Sequence, residues 1–368
     1  MPSADELISA ASVRTLARTL RTAAPGTSVA AVAEAEHLLD GLALRERADL
    51  LRDALLADFP GSYASLAAVV RSALGEPDFT GRLIWPVTTA VAARAAAEDT
   101  TAAFDDAMAL LAELTGRLTS EFAIRTLLRH DLDRALDIIA AWTGSPDDDV
   151  RRLASEGTRP YLPWAVRVPA ITARPGCTVP LLDALYRDGN EAVRRSVANH
   201  LNDLSRDNPD LVVETARRWL ADPAPHTAAL CRHGLRTLIK RGNTDALALL
   251  GFAPATVDIT GPVLHQVEVP FHGSVRFTAT VRNAGNTPAR LAVDYVVEYR
   301  RANGTQTGKT FKLTTATLAP GEKLDVDREH SFRPITTRRY YPGPHAVTLQ
   351  VNGVPSRRAE FELLPPPA

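Results

Sequence analysis

The sequence predicts a chain in two parts: an all-α HEAT-like helical solenoid over residues 1–254, followed by an all-β immunoglobulin-like sandwich over residues 255–368. The first observation is a change of hydrophobic period, from about 3.6 residues before Ala253 and Pro254 to about 2 after them. The second is that similar helical segments recur within the first part. Together they predict stacked helices joined to an antiparallel β-domain.

The first part carries apolar residues at helical spacing. Typical stretches are AEAEHLLDGL, FDDAMALLAELTGRL and LDRALDIIAAW. They are separated by helix breakers such as APG, GEPD and RDGN. This alternation predicts short amphipathic helices joined by tight turns.

Three segments of the first part align with one another: DDDVRRLASEG, NEAVRRSVANHLND and HTAALCRHGLRTL. With Val150, Val193 and Leu230 taken as equivalent, they are 43 and 37 residues apart. HEAT-type helical pairs repeat at about 40–47 residues. Each segment follows a loop and a helix-start signal, so each is expected to form the second helix of a pair.

The register places charged residues on one flank of these three helices. The second position after each anchor is Arg152, Arg195 or Arg232. The sixth position is Glu156, Asn199 or Arg236. A solenoid aligns equivalent flanks on one concave surface, and a basic concave surface suits a DNA backbone. A solvated face with local ion pairs, such as one between Arg152 and Glu156 four residues on, explains the pattern equally well.

After Ala253 and Pro254 the residues alternate. SVRFTATV, RLAVDYVVEY and HAVTLQVNG have apolar side chains at every second position, with turn signals between them. Such strands predict a sandwich of immunoglobulin type. From Thr256 onward there are 14 basic and 10 acidic residues, against 28 and 33 before it. This excess of basic residues suggests that the sandwich binds an anionic partner.

The bulk composition excludes several classes. The net charge is −1, so affinity for nucleic acid must come from a local patch. Cys177 and Cys231 stand alone, and His200, His226 and His233 lack ligand spacing, so we expect neither a disulfide framework nor a metal site. The start MPSADELISA does not resemble a signal peptide, and no apolar run is long enough for a membrane span. We therefore expect no membrane partner and a cytoplasmic location.

The stretch SEGTRPYLPW, residues 155–164, is a candidate active-site elbow. An acid ends a helix, and a glycine and two prolines then force the chain into a defined path before a tryptophan. Such an elbow would hold Glu156 and Trp164 in fixed relation. A tryptophan after a proline is also commonly a buried loop anchor, and we expect Trp85, Trp142 and Trp219 to be core residues.

The segments WTGSPDDDVRRLASEGTRPYLPW and NEAVRRSVANHLNDLSRDNPD resemble the bacterial DNA alkylation repair glycosylases built from HEAT-like repeats, the AlkC and AlkD group. The appended immunoglobulin-like domain points to AlkC. The resemblance is strong over about residues 100–250 and architectural elsewhere. It implies a monofunctional glycosylase, without metal or cofactor, that removes cationic N3-methyladenine and N3-methylcytosine. Its partner would be double-stranded DNA containing alkylated bases, bound by a monomer associated with the nucleoid.

The resemblance also implies roles for individual residues. Active-site residues would be Glu156, Trp164, Asp203 and Glu121. Phosphate contacts would be Arg152, Arg159, Arg194 and Arg195, and the repeat register adds Arg232 as a DNA contact. Glu121, in the segment SEF, could instead be a first-turn acid of a helix, and Asp203, in NHLND, could be an ordinary surface acid.

The implied chemistry is consistent with these residues. An N3-alkylated base already carries positive charge and leaves readily, so the main requirement is to stabilise a cationic, oxocarbenium-like sugar. A carboxylate does this and also aligns water. Arg152 and Arg159 lie close to Glu156 in sequence and favour its ionised form. The indole of Trp164 would attract a cation through its face.

A loop of the sandwich, FRPITTRRYYPGPH, is a further candidate DNA contact through Arg338 and Arg339. It could equally be a surface loop with Tyr340 or Tyr341 tucked into the sandwich. Two other functions remain open for the whole chain. One is a catalytically inert binder of damaged or branched DNA on the same scaffold, and the other is a protein-scaffolding solenoid.

Overall fold

The structure is a computed structural model that describes residues 4–367. Helices occupy its first part and strands begin at Val257, which confirms the predicted helical solenoid followed by a β-sandwich. The contacts divide the chain into two compact units. One contains the described residues up to Leu211 together with Pro223–Gly234, and the other contains Val212–Asp222 and the described residues from Leu235 onward. The domain boundary between residues 254 and 255 stays a prediction.

The helices are short and follow one another closely. Within residues 4–367 the α-helices are α1 Ala4–Leu7, α2 Ala10–Ala23, α3 Ala30–Glu34, α4 Leu44–Asp58, α5 Tyr63–Ala73, α6 Ile84–Glu98, α7 Thr101–Thr115, α8 Ile124–His130, α9 Leu132–Trp142, α10 Asp148–Glu156, α11 Pro169–Ala173, α12 Val179–Leu185, α13 Glu191–Leu204, α14 Pro209–Ala221, α15 Thr227–Gly234, α16 Arg236–Lys240 and α17 Thr244–Leu249. Short 3-10 turns cover Ala35–Leu38, Gly81–Leu83 and Pro175–Thr178. None of the helices in this part of the chain is long and apolar enough to cross a membrane.

The three aligned segments form α10, α13 and α15, and these helices are neighbours in space, α10 packing on α13 and α13 on α15. Asp147 caps α10 by accepting the Asp149 N–H, and Asn190 caps α13 by accepting the N–H groups of Ala192 and Val193. Such caps satisfy amides that the first helical turn leaves unpaired. The anchors of the repeat, among them Val193, lie in the core, as their apolar register requires.

The strands are β1 Val257–Leu264, β2 Glu268–Val269, β3 Ser274–Asn283, β4 Ala289–Arg300, β5 Gln306–Leu318, β6 Lys323–Ser331, β7 Gly343–Val351, β8 Val354–Pro355 and β9 Ala359–Leu363. One sheet has the order β1-β3-β6 and the other the order β2-β9-β7-β4-β5, with β8 paired to β7. The register pairs Phe277 with Arg328 and Tyr295 with Leu349. Alternate residues of both sheets, such as Phe277 of β3 and Tyr295 of β4, point inward and form a single hydrophobic core.

The four tryptophans differ in burial. Trp85 and Trp219 are buried, as expected, and Trp142 is half-buried. Trp164 is 64% exposed, which argues against the alternative that it anchors the loop from within the core. Its indole is therefore open to a binding partner, and Trp164 stays among the candidate functional residues.

Candidate active site

The elbow begins where α10 ends. Glu156 is the last residue of α10, and Gly157 follows against Ile124 of α8. A Cβ at Gly157 would lie 2.8 Å from the Cγ2 of Ile124, so a side chain there would have to displace Ile124. From Gly157 to Val166 the chain has no regular helix or strand. Its path must therefore be fixed by side chains.

Arg125 of α8 fixes that path. It is completely buried, and its Nη1 donates to the carbonyls of Gly157 and Arg159, both at 2.9 Å. Its Nε donates to the carbonyl of Val166 at 2.5 Å. Burial, assisted by the nearby charges of Arg167 and Arg159, lowers the pKa of Arg125 to about 10. One guanidinium thus ties the start of the elbow, and Val166 just beyond its end, to α8.

Two of the predicted catalytic acids converge on Arg159. Its Nη1 donates to Oε1 of Glu156 at 2.6 Å, and its Nε donates to Oδ2 of Asp203 at 2.9 Å. Glu156 and Arg159 are each 7% exposed and Asp203 is 2% exposed. The three side chains form a buried acid–base–acid cluster that joins α10, the elbow and α13.

This geometry changes the interpretation of two residues. Asp203 is not the ordinary surface acid that the sequence also allowed. Arg159 was predicted to contact phosphate, but its guanidinium is buried and already bonded to two carboxylates. Burial lowers the pKa of Arg159, but the hydrogen bond and charge of Asp203 and the charge of Glu156 outweigh it, so the net shift is upward. A phosphate contact does not fit this burial, and a role in positioning the acids fits better.

Glu156 faces an open cavity of about 470 Å³ between α10 and α13. The cavity is lined by Arg152, Glu156, Glu191, Ala192, Arg195, Ser196 and Asn199. The predicted charged flank of α10 and α13 therefore does share one surface. Ser196, which sequence analysis missed, donates to Oε2 of Glu156 at 2.6 Å.

Glu121 lies near this cavity through Arg152. The Nη2 of Arg152 donates to Oε2 of Glu121 at 2.9 Å, and the hydroxyl of Thr119 donates to the same oxygen at 3.0 Å. Arg152 thus pairs with Glu121 rather than with Glu156, the partner that sequence spacing suggested. Glu121 and Asp203 are not among the residues that line this cavity, so Glu156 is the predicted catalytic acid that does.

The arginines further along the flank are more exposed. Arg195 pairs with Glu191 one turn away, with side chains 66% and 75% exposed. Arg194 donates to the carbonyls of Asp188 and Gly189, both at 2.7 Å. A second cavity, of about 320 Å³ between α13 and α15, is lined by Glu191, Arg194, Arg195, Ala198, His226, Ala229, Leu230 and His233. Arg232 is exposed on α15 but is not among the residues lining either cavity.

Trp164 lines a different cavity from Glu156. It shares about 170 Å³ with Arg45, Trp85 and Phe122, and Trp85 stacks on Phe122 with ring centroids 4.5 Å apart. Its backbone is left-handed, with φ of 63°, and Arg45 donates to its carbonyl at 3.3 Å. That conformation costs a residue with a Cβ about 1–2 kcal/mol. The structure therefore brings Glu156, Asp203 and Arg159 together but does not bring Trp164 into the cavity of Glu156.

The predicted loop of the sandwich divides between core and surface. Tyr340 is buried, as the structural alternative proposed, and Arg338 lies over the ring of Tyr299 at 4.0 Å. Arg339 is exposed, with its guanidinium 5.5 Å from the ring of Tyr341. The loop lines a cavity of about 440 Å³ within the sandwich unit. Among the residues of the structure, 4–367, no group of three or more His, Cys, Asp or Glu side chains is placed to hold a metal.

A helical solenoid with buried acids beside a cavity rimmed by guanidiniums, joined to an immunoglobulin-like sandwich, defines a narrow class of protein. Residues 258–365 match the family described as "Uncharacterised protein YhaZ, C-terminal Ig-like domain". The chain is 32% identical over 261 residues to the "Uncharacterized protein YhaZ" of Bacillus subtilis (strain 168), covering 71% of this chain and 72% of that protein.

A solved structure extends the likeness to the whole chain. The Pseudomonas fluorescens alkylpurine DNA glycosylase AlkC, bound to DNA containing an abasic site analog, superimposes with a TM-score of 0.82 at 33% identity. The match covers 99% of this chain and 100% of that protein. The chain belongs to the family of AlkC and YhaZ.

Proposed function

We propose that this protein is a monofunctional DNA glycosylase that excises cationic N3-alkylated bases, N3-methyladenine and N3-methylcytosine, from double-stranded DNA. The observation that carries the proposal is the carboxylate of Glu156, buried on one side by Arg159 and open on the other to the cavity between α10 and α13. Similarity to a DNA-bound glycosylase over almost the whole chain supports the same reaction. We also propose a HEAT-like scaffold that acts as a monomer at the nucleoid.

In this mechanism Glu156 stabilises the positive sugar and aligns the attacking water. In a partly desolvated site the field of a carboxylate acts more strongly than in water. Asp203 shares Arg159 with Glu156 and adds a second negative charge to the cluster. Arg159 holds both acids in place. Its role is therefore positioning rather than phosphate binding.

The leaving base needs no proton from the protein because alkylation has already made it cationic. The histidine nearest the cluster, His200, is completely buried, and burial lowers its pKa to about 4. Its ring nitrogens lie 2.9 Å from the Ser155 carbonyl and 3.0 Å from the Thr178 hydroxyl, so both are occupied. A neutral histidine with no open nitrogen is a poor general acid, which favours substrates that leave without protonation.

Binding to DNA would come from guanidiniums that are exposed or half-buried. Arg152, Arg194, Arg195 and Arg232 are proposed phosphate contacts on the solenoid, and Arg338 and Arg339 on the sandwich. Of the last two, Arg339 is the more exposed. Glu121 would hold Arg152 in position for such a contact. Trp164, exposed on a strained backbone, would contact a base or sugar through its face.

The experiment is release of N3-methyladenine and N3-methylcytosine from methylated duplex DNA by the wild type and by Glu156→Gln. We expect the variant to bind DNA normally and to lose at least 100-fold in single-turnover excision, about 3 kcal/mol of transition-state stabilisation. Excision at the wild-type rate by Glu156→Gln would remove the assigned role. Tight, salt-sensitive binding by the wild type without any excision would favour the inert DNA binder instead.

A further inference from the structure

A buried chain of polar groups connects α10 to α13 behind Glu156. The Ser196 hydroxyl lies 2.6 Å from Oε2 of Glu156 and 3.0 Å from the hydroxyl of Ser155. The carbonyl of Ser155 in turn lies 2.9 Å from Nδ1 of His200, and Nε2 of His200 lies 3.0 Å from the Thr178 hydroxyl. All five residues are between 0% and 7% exposed.

The acceptors fix the direction of this chain. A carbonyl only accepts, so Nδ1 of His200 carries the hydrogen and donates to Ser155. Nε2 is then an acceptor and receives the Thr178 hydroxyl. Ser196 has a single hydroxyl hydrogen, and because an ionised carboxylate only accepts, that hydrogen goes to Glu156. Ser196 is thus the donor to the carboxylate of Glu156.

Both oxygens of Glu156 are consequently held. Arg159 takes Oε1 and Ser196 takes Oε2, at 2.6 Å each. Two donors on opposite oxygens stop the carboxylate from rotating about its last bond. Ser196 is also one of the residues that line the cavity of Glu156.

We infer that Ser196 is a positioning residue for the proposed reaction: it orients the carboxylate of Glu156. The inference rests on the proposed function. A hydrogen bond to a carboxylate is stronger than one between neutral groups. Without it, Glu156 would keep its place through Arg159 but would lose its fixed orientation.

The test compares Ser196→Ala with Ser155→Ala. Ser155 lies next in the chain and is equally buried, but its side chain does not contact Glu156, so it reports the cost of losing a buried serine hydroxyl at this helix contact. Single-turnover excision of N3-methyladenine, DNA affinity and thermal unfolding are measured for both variants.

We expect Ser196→Ala to slow excision by about 10–100-fold at neutral pH, the equivalent of one charge-assisted hydrogen bond. DNA affinity should change by less than about 2-fold, since no phosphate contact is lost. Ser196→Thr, which keeps a hydroxyl, should recover most of the wild-type excision rate, a rescue that a purely structural role would not give.

Three outcomes separate the possibilities. If the wild type excises the base and Ser196→Ala matches its rate, the inference fails while the proposed function stands. If Ser196→Ala and Ser155→Ala lose the same activity and the same stability, the effect is packing, and the inference fails as well. If the wild type excises neither lesion, the proposed function fails first.

Discussion

The shared counter-ion of the two buried acids provides the most direct test of the cluster. Arg159→Met removes the guanidinium that bonds to Glu156 at 2.6 Å and to Asp203 at 2.9 Å, while keeping an unbranched apolar stem. Both acids remain in buried positions, where Glu156 is 7% exposed and Asp203 is 2% exposed. Leaving one buried charge without its partner costs about 3–5 kcal/mol. Here two charges lose the same partner, so we expect a loss at the upper end of that range.

A matched control is available on the same flank. Arg195→Met breaks an arginine–glutamate pair in which the side chains are 66% and 75% exposed, and exposed pairs contribute only about 0–1 kcal/mol. Both variants are unfolded in urea while the helical signal is followed by far-ultraviolet circular dichroism. We expect Arg159→Met to unfold at a clearly lower urea concentration than Arg195→Met.

The double variant Arg159→Met with Asp203→Asn removes one of the stranded charges and should recover part of the lost stability. Equal urea midpoints for Arg159→Met and Arg195→Met would refute the reasoning. That result would mean that the two acids do not depend on Arg159 in the native protein, and that the guanidinium does not hold Glu156 in place.

Three other outcomes are expected. Trp164→Gly should lower excision strongly but change thermal stability by less than about 1 kcal/mol, because the indole is 64% exposed and glycine accepts a φ of 63° without strain. Arg152→Gln and Arg195→Gln should each reduce the slope of log affinity for DNA against log salt by about 1, measured by fluorescence anisotropy, whereas an unchanged slope would remove that residue from the phosphate contacts. The folded pKa of His200 is about 4 against an ordinary 6.5, so the unfolded chain binds more protons between these values, and the free energy of unfolding should fall as pH drops from 6.5 to 4. His200→Gln should flatten that part of the pH dependence in urea titrations, and an unaltered curve would assign it to other groups.

Periodicity predicted the outline of the site. The helical register placed Arg152, Arg195, Glu156 and Asn199 on equivalent flanks, and these residues line one cavity. The register works because they lie on regular helices, where three or four residues make a turn. The change of period after Ala253 and Pro254 likewise predicted the strands that begin at Val257.

The same reasoning failed where the helix ends or the partner is distant in sequence. Arg159 lies beyond the last turn of α10, so no register indicates that it turns inward. Ser196 is three residues after its anchor Val193, a position that helical geometry assigns to the apolar face, and a small polar residue there gives little signal. The pairing of Arg152 with Glu121 spans 31 residues and depends on how the helices stack. Arg125 was missed because charged residues are ordinarily assigned to the outside.

Because Arg125 is bonded to Gly157, Arg159 and Val166 at once, it closes the elbow into a loop of defined length. An inserted or deleted residue between the first and last of these carbonyls would detach one end, leaving a buried cation short of acceptors. Relatives of this protein are therefore expected to vary the side chains of the elbow more freely than its number of residues. Engineering that grafts a new segment here should preserve the residue count before anything else.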